Sequence, residues 1–168
     1  TLKYNGTEQS VTGYTVACSN GLYTANDFVF TGEAVAKGTN ADTYDMGIKA
    51  DQFSNTSANF SNVTFVVTDG SLTITKRPVT LTSASDKKVY DGNALTKKEV
   101  TVGGDGFAKN EGATYNVTGT QTNVGESKNT FSYTLNEGTK ADNYTIEKTE
   151  GTLKVTPVTA KVTVTITG

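Results

Sequence analysis

A fifteen-residue pattern occurs twice in this sequence and constrains its fold more than any other feature. Residues 61–75 resemble residues 142–156, 81 residues later, and the two stretches align without a gap. A second motif, Tyr4-Asn5-Gly6, recurs as Tyr90-Asp91-Gly92 at a spacing of 86 residues, so the intervening loops differ in length. Self-similarity at a fixed spacing is typical of tandem modules. The chain therefore has to fold as modules of roughly 80 residues, each with only a modest core.

The prolines suggest where the modules begin and end. Pro78 and Pro157 are the only two, and each follows the last strand pattern of a module, where the loss of a backbone donor suits a boundary. We predict a first module at 1–77 that lacks its opening strand, a second, complete module at 78–157, and the opening strand of a following module at 158–168. On this interpretation the chain is a portion of something longer. It has neither a signal-peptide pattern nor an apolar run of membrane-spanning length.

Strand patterns fill both modules, because β-branched and aromatic residues alternate with polar ones between turn dipeptides such as Asp69-Gly70. The predicted strands of the first module are 13–18, 27–32, 63–67 and 71–75. Those of the second module are one opening strand that begins at 79–82 and runs on into 87–92, followed by 99–102, 114–118, 130–135, 144–147 and 152–156. Residues 50–55 and 94–99 are the only candidates for a short helix. The sequence thus predicts an all-β chain of two small antiparallel modules, with an immunoglobulin-like sandwich favoured and a β-grasp-like fold around one short helix as the alternative.

Composition excludes several classes of function. The chain of 168 residues has a formal net charge of −2, with no basic cluster that would suit nucleic acid. It contains no histidine, which removes the commonest general base and a common neutral metal ligand. Its one cysteine, Cys18, lies in a strand pattern and is predicted to be a small buried hydrophobe. We therefore predict no enzymatic activity, no cofactor and no metal.

Two pairs of repeated residues have both a structural and a functional interpretation. Tyr4 and Tyr90 precede equivalent turns, where a ring packed on the end of the module is favoured over a ligand-stacking platform. Lys3 and Lys88 lie near strand ends and could donate to an isopeptide crosslink, but no acceptor can be named from the sequence. Intact mass tests that idea, since the crosslink removes ammonia or water.

Acidic residues offer two further candidate sites. Asp105, Asn110 and Glu111 could gather around calcium, but their spacing matches no EF-hand loop, so a solvated loop is favoured. Asp42 and Asp45 could serve glycoside hydrolysis only in a groove that raises the pKa of one carboxyl. A small repeated module does not readily supply such a groove, and we predict no catalytic residue here.

The repeated motifs resemble those of the MBG and YDG repeat modules of bacterial surface proteins. In the second module the resemblance lies in Tyr90-Asp91-Gly92, in residues 142–146 and in the closing residues 151–157. In the first module it lies in Tyr4-Asn5-Gly6 and in segments 13–16, 62–65 and 70–75, with Asn5 in place of the aspartate. The resemblance covers nearly the whole chain and brings no catalytic residues with it. It implies a secreted, cell-wall-attached protein of a Gram-positive-type bacterium.

These observations lead to one expected function and one alternative. The expected function is a non-catalytic stalk or spacer, an elongated rod whose partners are neighbouring modules of the same parent chain. The alternative is an adhesin module that binds host glycan or matrix protein, which should show a contiguous exposed aromatic or apolar patch. Neither nucleic acid nor membrane insertion is expected. Apolar and polar residues alternate in segment 158–166 as in a β-strand, and the first module should expose an unpaired sheet edge. We therefore also expect this segment to pair with the first module of another molecule.

Overall fold

The computed structural model describes residues 1–168 and is all-β, with 40% of the residues in strands. The chain folds as two compact units, Thr1–Arg77 and Pro78–Gly168. Its helical segments are three-residue 3-10 turns at Ala25–Asp27, Ala50–Gln52 and Ala141–Asn143. None of them is long and apolar enough to cross a membrane. The β-grasp alternative therefore lacks the helix that it requires.

The first unit contains seven short strands in three small sheets. The strands are β1 (Leu2–Lys3), β2 (Gln9–Thr12), β3 (Phe28–Phe30), β4 (Val35–Gly38), β5 (Thr43–Asp45), β6 (Phe53–Asn55) and β7 (Ser71–Thr75). One sheet has the order β1-β7-β5, and the other two are the pairs β2-β4 and β3-β6.

The second unit contains eight strands in three sheets. The strands are β8 (Arg77–Ser83), β9 (Asp86–Val89), β10 (Val100–Gly104), β11 (Ala113–Val117), β12 (Gly125–Lys128), β13 (Phe131–Leu135), β14 (Tyr144–Thr149) and β15 (Thr152–Thr156). The sheets have the orders β9-β15-β12 and β10-β8-β14, with β11-β13 as a separate pair. An isolated bridge joins Leu95 to Gln121.

The two units share part of one plan, since the sheet β1-β7-β5 corresponds to β9-β15-β12, whereas β10-β8-β14 has no counterpart in the first unit. In the sheet β1-β7-β5, Leu2 lies beside Ile74, and at the equivalent place in β9-β15-β12, Lys88 lies beside Val155. The outer pairs β1-β7 and β9-β15 are parallel, so the prediction of purely antiparallel modules was wrong for them. The two strands of each parallel pair are joined by most of the unit rather than by a hairpin, and only a tight hairpin forces antiparallel pairing.

Alternation along the closing strands builds the core of each unit. Leu72 and Ile74 on β7 are buried, as are their equivalents Leu153 and Val155 on β15. Successive side chains of a strand point to opposite faces, so every second residue enters the core. β8 contributes a further buried face through Val79, Leu81 and Ser83.

Of the two predicted short helices, one contains a helical turn and the other is extended chain. Residues 50–55 form a 3-10 turn followed at once by β6. The prediction of a helix at 94–99 was wrong, because Leu95 exchanges two backbone hydrogen bonds with Gln121, at 2.8 and 3.1 Å. Leu95 is buried in the core with Leu153 and Val155, which fixes this segment as extended chain.

Most predicted strands are confirmed, and the closing strands have the predicted bounds, 71–75 and 152–156. The prediction of one opening strand from 79–82 into 87–92 was wrong, because the chain forms two strands there, β8 and β9, which belong to different sheets. Strands predicted at 13–18 and 63–67 are absent. The repeat spacings place Tyr14 where the second unit has Val100 of β10, and Val63 where it has Tyr144 of β14. In the second unit β8 lies between β10 and β14. In the first unit no strand lies between the equivalent segments, so neither acquires a hydrogen-bond ladder.

Residues 158–168, predicted to be the opening strand of a following module, form no strand in this structure. All eleven are exposed, including Val162, Val164 and Ile166. Their role in another module stays a prediction.

Candidate binding groove

Two extended segments of the first unit face solvent as unpaired edges, and we call them the lips. One lip is residues 14–19 and the other is residues 62–68. Neither lip makes a backbone hydrogen bond with the rest of the chain. Unpaired strand edges offer a row of donors and acceptors to any extended chain of suitable length. The lips are therefore available for β-pairing with another strand.

The second lip keeps the alternation of a strand although it is unpaired. Val63, Phe65 and Val67 are half-buried, whereas Thr64 and Val66 are exposed. The side chain of Val66 is 91% exposed, and Tyr14 and Val16 on the other lip are 44% and 48% exposed. Large apolar side chains are thus open to water on both sides of the gap.

An aromatic cluster forms the floor between the lips. Phe53 stacks on Phe30 with ring centroids 4.6 Å apart, and on Phe65 at 5.7 Å. Tyr14 packs edge-on against the same Phe53 ring at 5.7 Å. Phe28 links Phe65 to Tyr23, with centroids 5.7 and 6.5 Å away. Aromatic pairs in these offset and edge geometries add stability beyond the area they bury, so the floor is preformed.

The lips and the floor enclose a groove of about 460 Å³. Its lining contains no charged side chain, and its polar groups are hydroxyls and amides of Thr, Ser, Asn and Tyr together with backbone. A groove with these properties suits an apolar or neutral extended ligand, held by main-chain hydrogen bonds at its edges and by side-chain burial at its floor.

Tyr23 is one of the ionisable side chains that line the groove. Its hydroxyl lies 3.0 Å from the backbone oxygen of Asp27 and 3.0 Å from Oδ1 of Asn55. Partial burial raises the pKa of this hydroxyl, and the nearby charge of Asp27 raises it further. Tyr23 therefore stays neutral at physiological pH and serves as a hydrogen-bonding group rather than as an acid or base.

Cys18 was predicted to be buried on a strand, and that prediction was wrong. It is an exposed free cysteine on the first lip and lines the groove. The alternation at 13–18 is real, but without a neighbouring strand the segment has no covered face into which the thiol could turn.

The repeated tyrosines do not form a shared platform. Tyr4 is only 3% exposed, whereas Tyr90 is 42% exposed. Their backbones are equivalent, since each amide donates to a closing strand, to Thr75 O at 2.9 Å and to Thr156 O at 2.8 Å. A buried Tyr4 packs on the module as predicted, but Tyr90 does not bury its ring.

The candidate acidic sites lie apart from the groove. Glu111 accepts a short hydrogen bond from the Tyr144 hydroxyl, and no group of three His, Cys, Asp or Glu side chains is placed to hold a metal ion. Asp42 and Asp45 are both exposed, and Asp42 caps its own turn by accepting from the Thr43 amide at 2.8 Å.

Lys88, one of the two lysines considered as crosslink donors, forms an ion pair. Its Nζ lies 2.8 Å from Asp91 Oδ1 and 2.6 Å from the backbone oxygen of Asn93. This pair lowers the pKa of Asp91, and the Asn93 amide contributes to the same shift. Lys3 lies in β1 beside Thr75 of β7.

Sequence reasoning did not find the groove, because its floor joins aromatic residues that lie far apart in the chain.

Comparison with known families identifies a domain in the second unit. Residues 75–153 match the YDG domain, a stretch that runs from the end of β7 into β15. No curated protein and no solved structure matches the chain. The chain therefore contains a YDG domain at residues 75–153, whereas the resemblance of the first unit and the bacterial-surface context stay predictions.

Proposed function

We propose that the chain is a non-catalytic repeat module that acts as a stalk or spacer in a bacterial cell-surface protein. The observation that carries this proposal is that one sheet plan, β1-β7-β5, is built again as β9-β15-β12. Copying a whole fold provides length or many weak contacts, whereas an active site needs only one copy of its residues. In this role the chain is extracellular, attached to the cell wall through its parent chain, and its partners are neighbouring modules.

We propose further that each unit is an immunoglobulin-like sandwich and that the units form an elongated rod. In support, two different sheets of the second unit each bury alternating residues, Leu153 and Val155 on β15 and Val79 and Leu81 on β8. Two sheets with one apolar face each are stable when those faces pack together.

Solution scattering tests the rod. A compact globule of this length has a radius of gyration of about 15 Å. We expect a clearly larger value and a distance distribution with a long tail, measured at a concentration where the chain is monomeric. A monomer with the radius of a compact globule contradicts the spacer role.

An adhesin is the second candidate, and the groove favours it because it is an exposed patch with an aromatic floor. Arrays of glycans and matrix proteins, probed with the whole chain, separate the two functions. A spacer shows no saturable binding. An adhesin binds saturably, loses that binding in Val66→Lys on the lip, and keeps it in the matched control Val124→Lys, which introduces the same charge at an exposed valine of the second unit.

A further inference from the structure

The groove of the first unit has the form of a sheet from which the central strand is missing. We propose that it is an acceptor site for an extended β-strand and that its occupant is residues 158–162 of a second copy of this chain. This inference rests on the repeat organisation of the proposed function: where a neighbouring module of the parent chain would share this strand, a second copy of the chain supplies it between molecules.

The second unit contains the completed version of the same site. There β8 lies between β10 and β14, and its residues pair with β10 in an antiparallel register: Ser83 with Val100, Leu81 with Val102 and Val79 with Gly104. Val79, Leu81 and Ser83 are the residues that β8 buries, each at most 1% exposed. The first unit presents the two flanking segments as the lips and nothing between them.

The tail of the chain has the sequence of such a central strand. Pro157-Val158-Thr159 repeats Pro78-Val79-Thr80 at the start of β8. By this alignment Val158, Ala160 and Val162 take the places of the three buried residues of β8. Lys161 takes the place of Thr82, which is exposed, so its charge stays in solvent. The tail itself is exposed and unpaired along its whole length.

The repeat spacing fixes the register of the proposed complex. Val100 is equivalent to Tyr14 and Gly104 to Cys18, so Val158 of the second copy lies opposite Cys18, and Val162 lies opposite Tyr14. The side chains that enter the groove are apolar, its floor is aromatic, and no charge is buried. Main-chain hydrogen bonds to both lips satisfy the donors and acceptors that water satisfies in the open groove.

Each chain carries one acceptor and one donor, so the contact is heterologous. Heterologous contacts produce rings when the rotation closes and open chains when it does not. Self-association should therefore depend on concentration and grow beyond a simple two-fold dimer unless a ring closes.

The single cysteine of the chain makes the register directly testable. Val158→Cys introduces a second thiol at an exposed residue without disturbing either unit. Directly opposite residues on neighbouring antiparallel strands lie about 4.5–5.5 Å apart, within the Cα separation of a disulfide. Under mild oxidation we expect an intermolecular disulfide between Cys18 and the new thiol, identified by mass spectrometry of the linked peptides. The matched control is Val164→Cys, another exposed tail valine outside the proposed pairs, which should not link to Cys18 under the same conditions.

A second pair of variants tests the strand itself. Ala160→Pro removes a ladder donor in the middle of the proposed strand, and Thr167→Pro makes the same change outside it. We expect Ala160→Pro to weaken self-association in sedimentation by at least about tenfold, with Thr167→Pro unchanged. A disulfide within one monomer would assign the groove to the chain's own tail and overturn the proposal. Equal linking of both cysteine variants, or an unchanged oligomeric state in Ala160→Pro, would overturn it as well.

Discussion

The two units repeat one plan, yet only the second has its central strand, and the difference shows what turns a strand pattern into a strand. Residues 14–18 and 63–67 of the first unit have patterns as strong as those of β10 and β14, but they remain unpaired. β10 and β14 owe their ladders to β8. Local β-propensity thus indicates that a segment can form a strand, but only when a neighbouring strand is present to pair with it.

The difference extends to the polar groups beneath the sheets. Asn129 in the second unit and Met46 in the first hold the same backbone position, since their amides donate to Gly151 O at 2.8 Å and to Gly70 O at 2.9 Å. The Asn129 side chain also donates to the backbone oxygens of Ala84, just past β8, and of Lys97. The second unit thus has a polar side chain, Asn129, that hydrogen-bonds to the backbone at the end of its central strand. The first unit has no central strand, and the equivalent residue is the flexible, apolar Met46.

The largest effect is expected at β8 itself. Leu81 is fully buried, so Leu81→Ala should destabilise the second unit by about 3 kcal/mol through lost burial and the resulting cavity. Val66→Ala, at the exposed lip of the first unit, should change stability by less than about 0.5 kcal/mol. Hydrogen exchange of peptides from each unit measures both. Similar costs at the two sites would mean that the open groove is already closed in solution.

The next largest effect concerns the anchor. Asn129→Ala leaves the oxygens of Ala84 and Lys97 without their side-chain donor, and we expect a cost of about 2–3 kcal/mol in the second unit. The loss of stability is partly offset, because the substitution also removes Asn129 Oδ1, an oxygen that is buried without a hydrogen-bond partner. Met46→Ala is the matched change in the first unit and should cost less than Asn129→Ala, as the denaturation midpoints of the two variants will show. The reverse order would contradict the role assigned to Asn129.

A smaller asymmetry is expected at two equivalent glycines. A Cβ at Gly151 would lie 2.5 Å from Ser83 O and 2.6 Å from Ala84 O, both rigid backbone atoms. A Cβ at Gly70 would meet only the Met46 side chain, at 2.8 Å from its sulfur. We expect Gly151→Ala to cost about 2 kcal/mol, because overpacking against backbone forces a shift. Gly70→Ala should cost less than about 1 kcal/mol, because Met side chains rearrange readily. Equal melting temperatures for the two variants would contradict the expected difference between Gly151 and Gly70.

Much of the fold follows from the sequence, and the reason for the rest is physical. The closing strands at 71–75 and 152–156 were predicted with their bounds because they alternate strictly and follow Gly turns. Cys18 and the segment around it were misplaced, because burial there depends on a partner strand that the local pattern cannot reveal. The groove floor was missed for a similar reason: Phe28, Phe53 and Phe65 meet only after three separate segments have packed.

The smallest expected effect is a difference in acid response. Asp69 in the first unit accepts hydrogen bonds from the amides of Ile48 and Gly47, each at 2.9 Å. These amides, with Ile48 contributing most, lower the pKa of the Asp69 carboxyl in the folded state. The equivalent Glu150 of the second unit instead lies 3.2 Å from Lys148 Nζ.

A carboxyl whose folded pKa is lowered stabilises the fold above its unfolded pKa, and that contribution is lost as the pH falls through the folded value. Asp69→Asn leaves one of the two amides without an oxygen, so it should destabilise the first unit modestly at pH 7. The gap to the wild-type chain should shrink as the pH falls from about 4, near the pKa of the carboxyl in the unfolded chain, through the lowered pKa of the folded carboxyl. Urea unfolding followed at several pH values measures the gap, with Glu150→Gln as the matched control for the second unit. A gap at Asp69 that stays constant down to pH of about 2 would show that the two amide contacts do not favour the charged carboxylate.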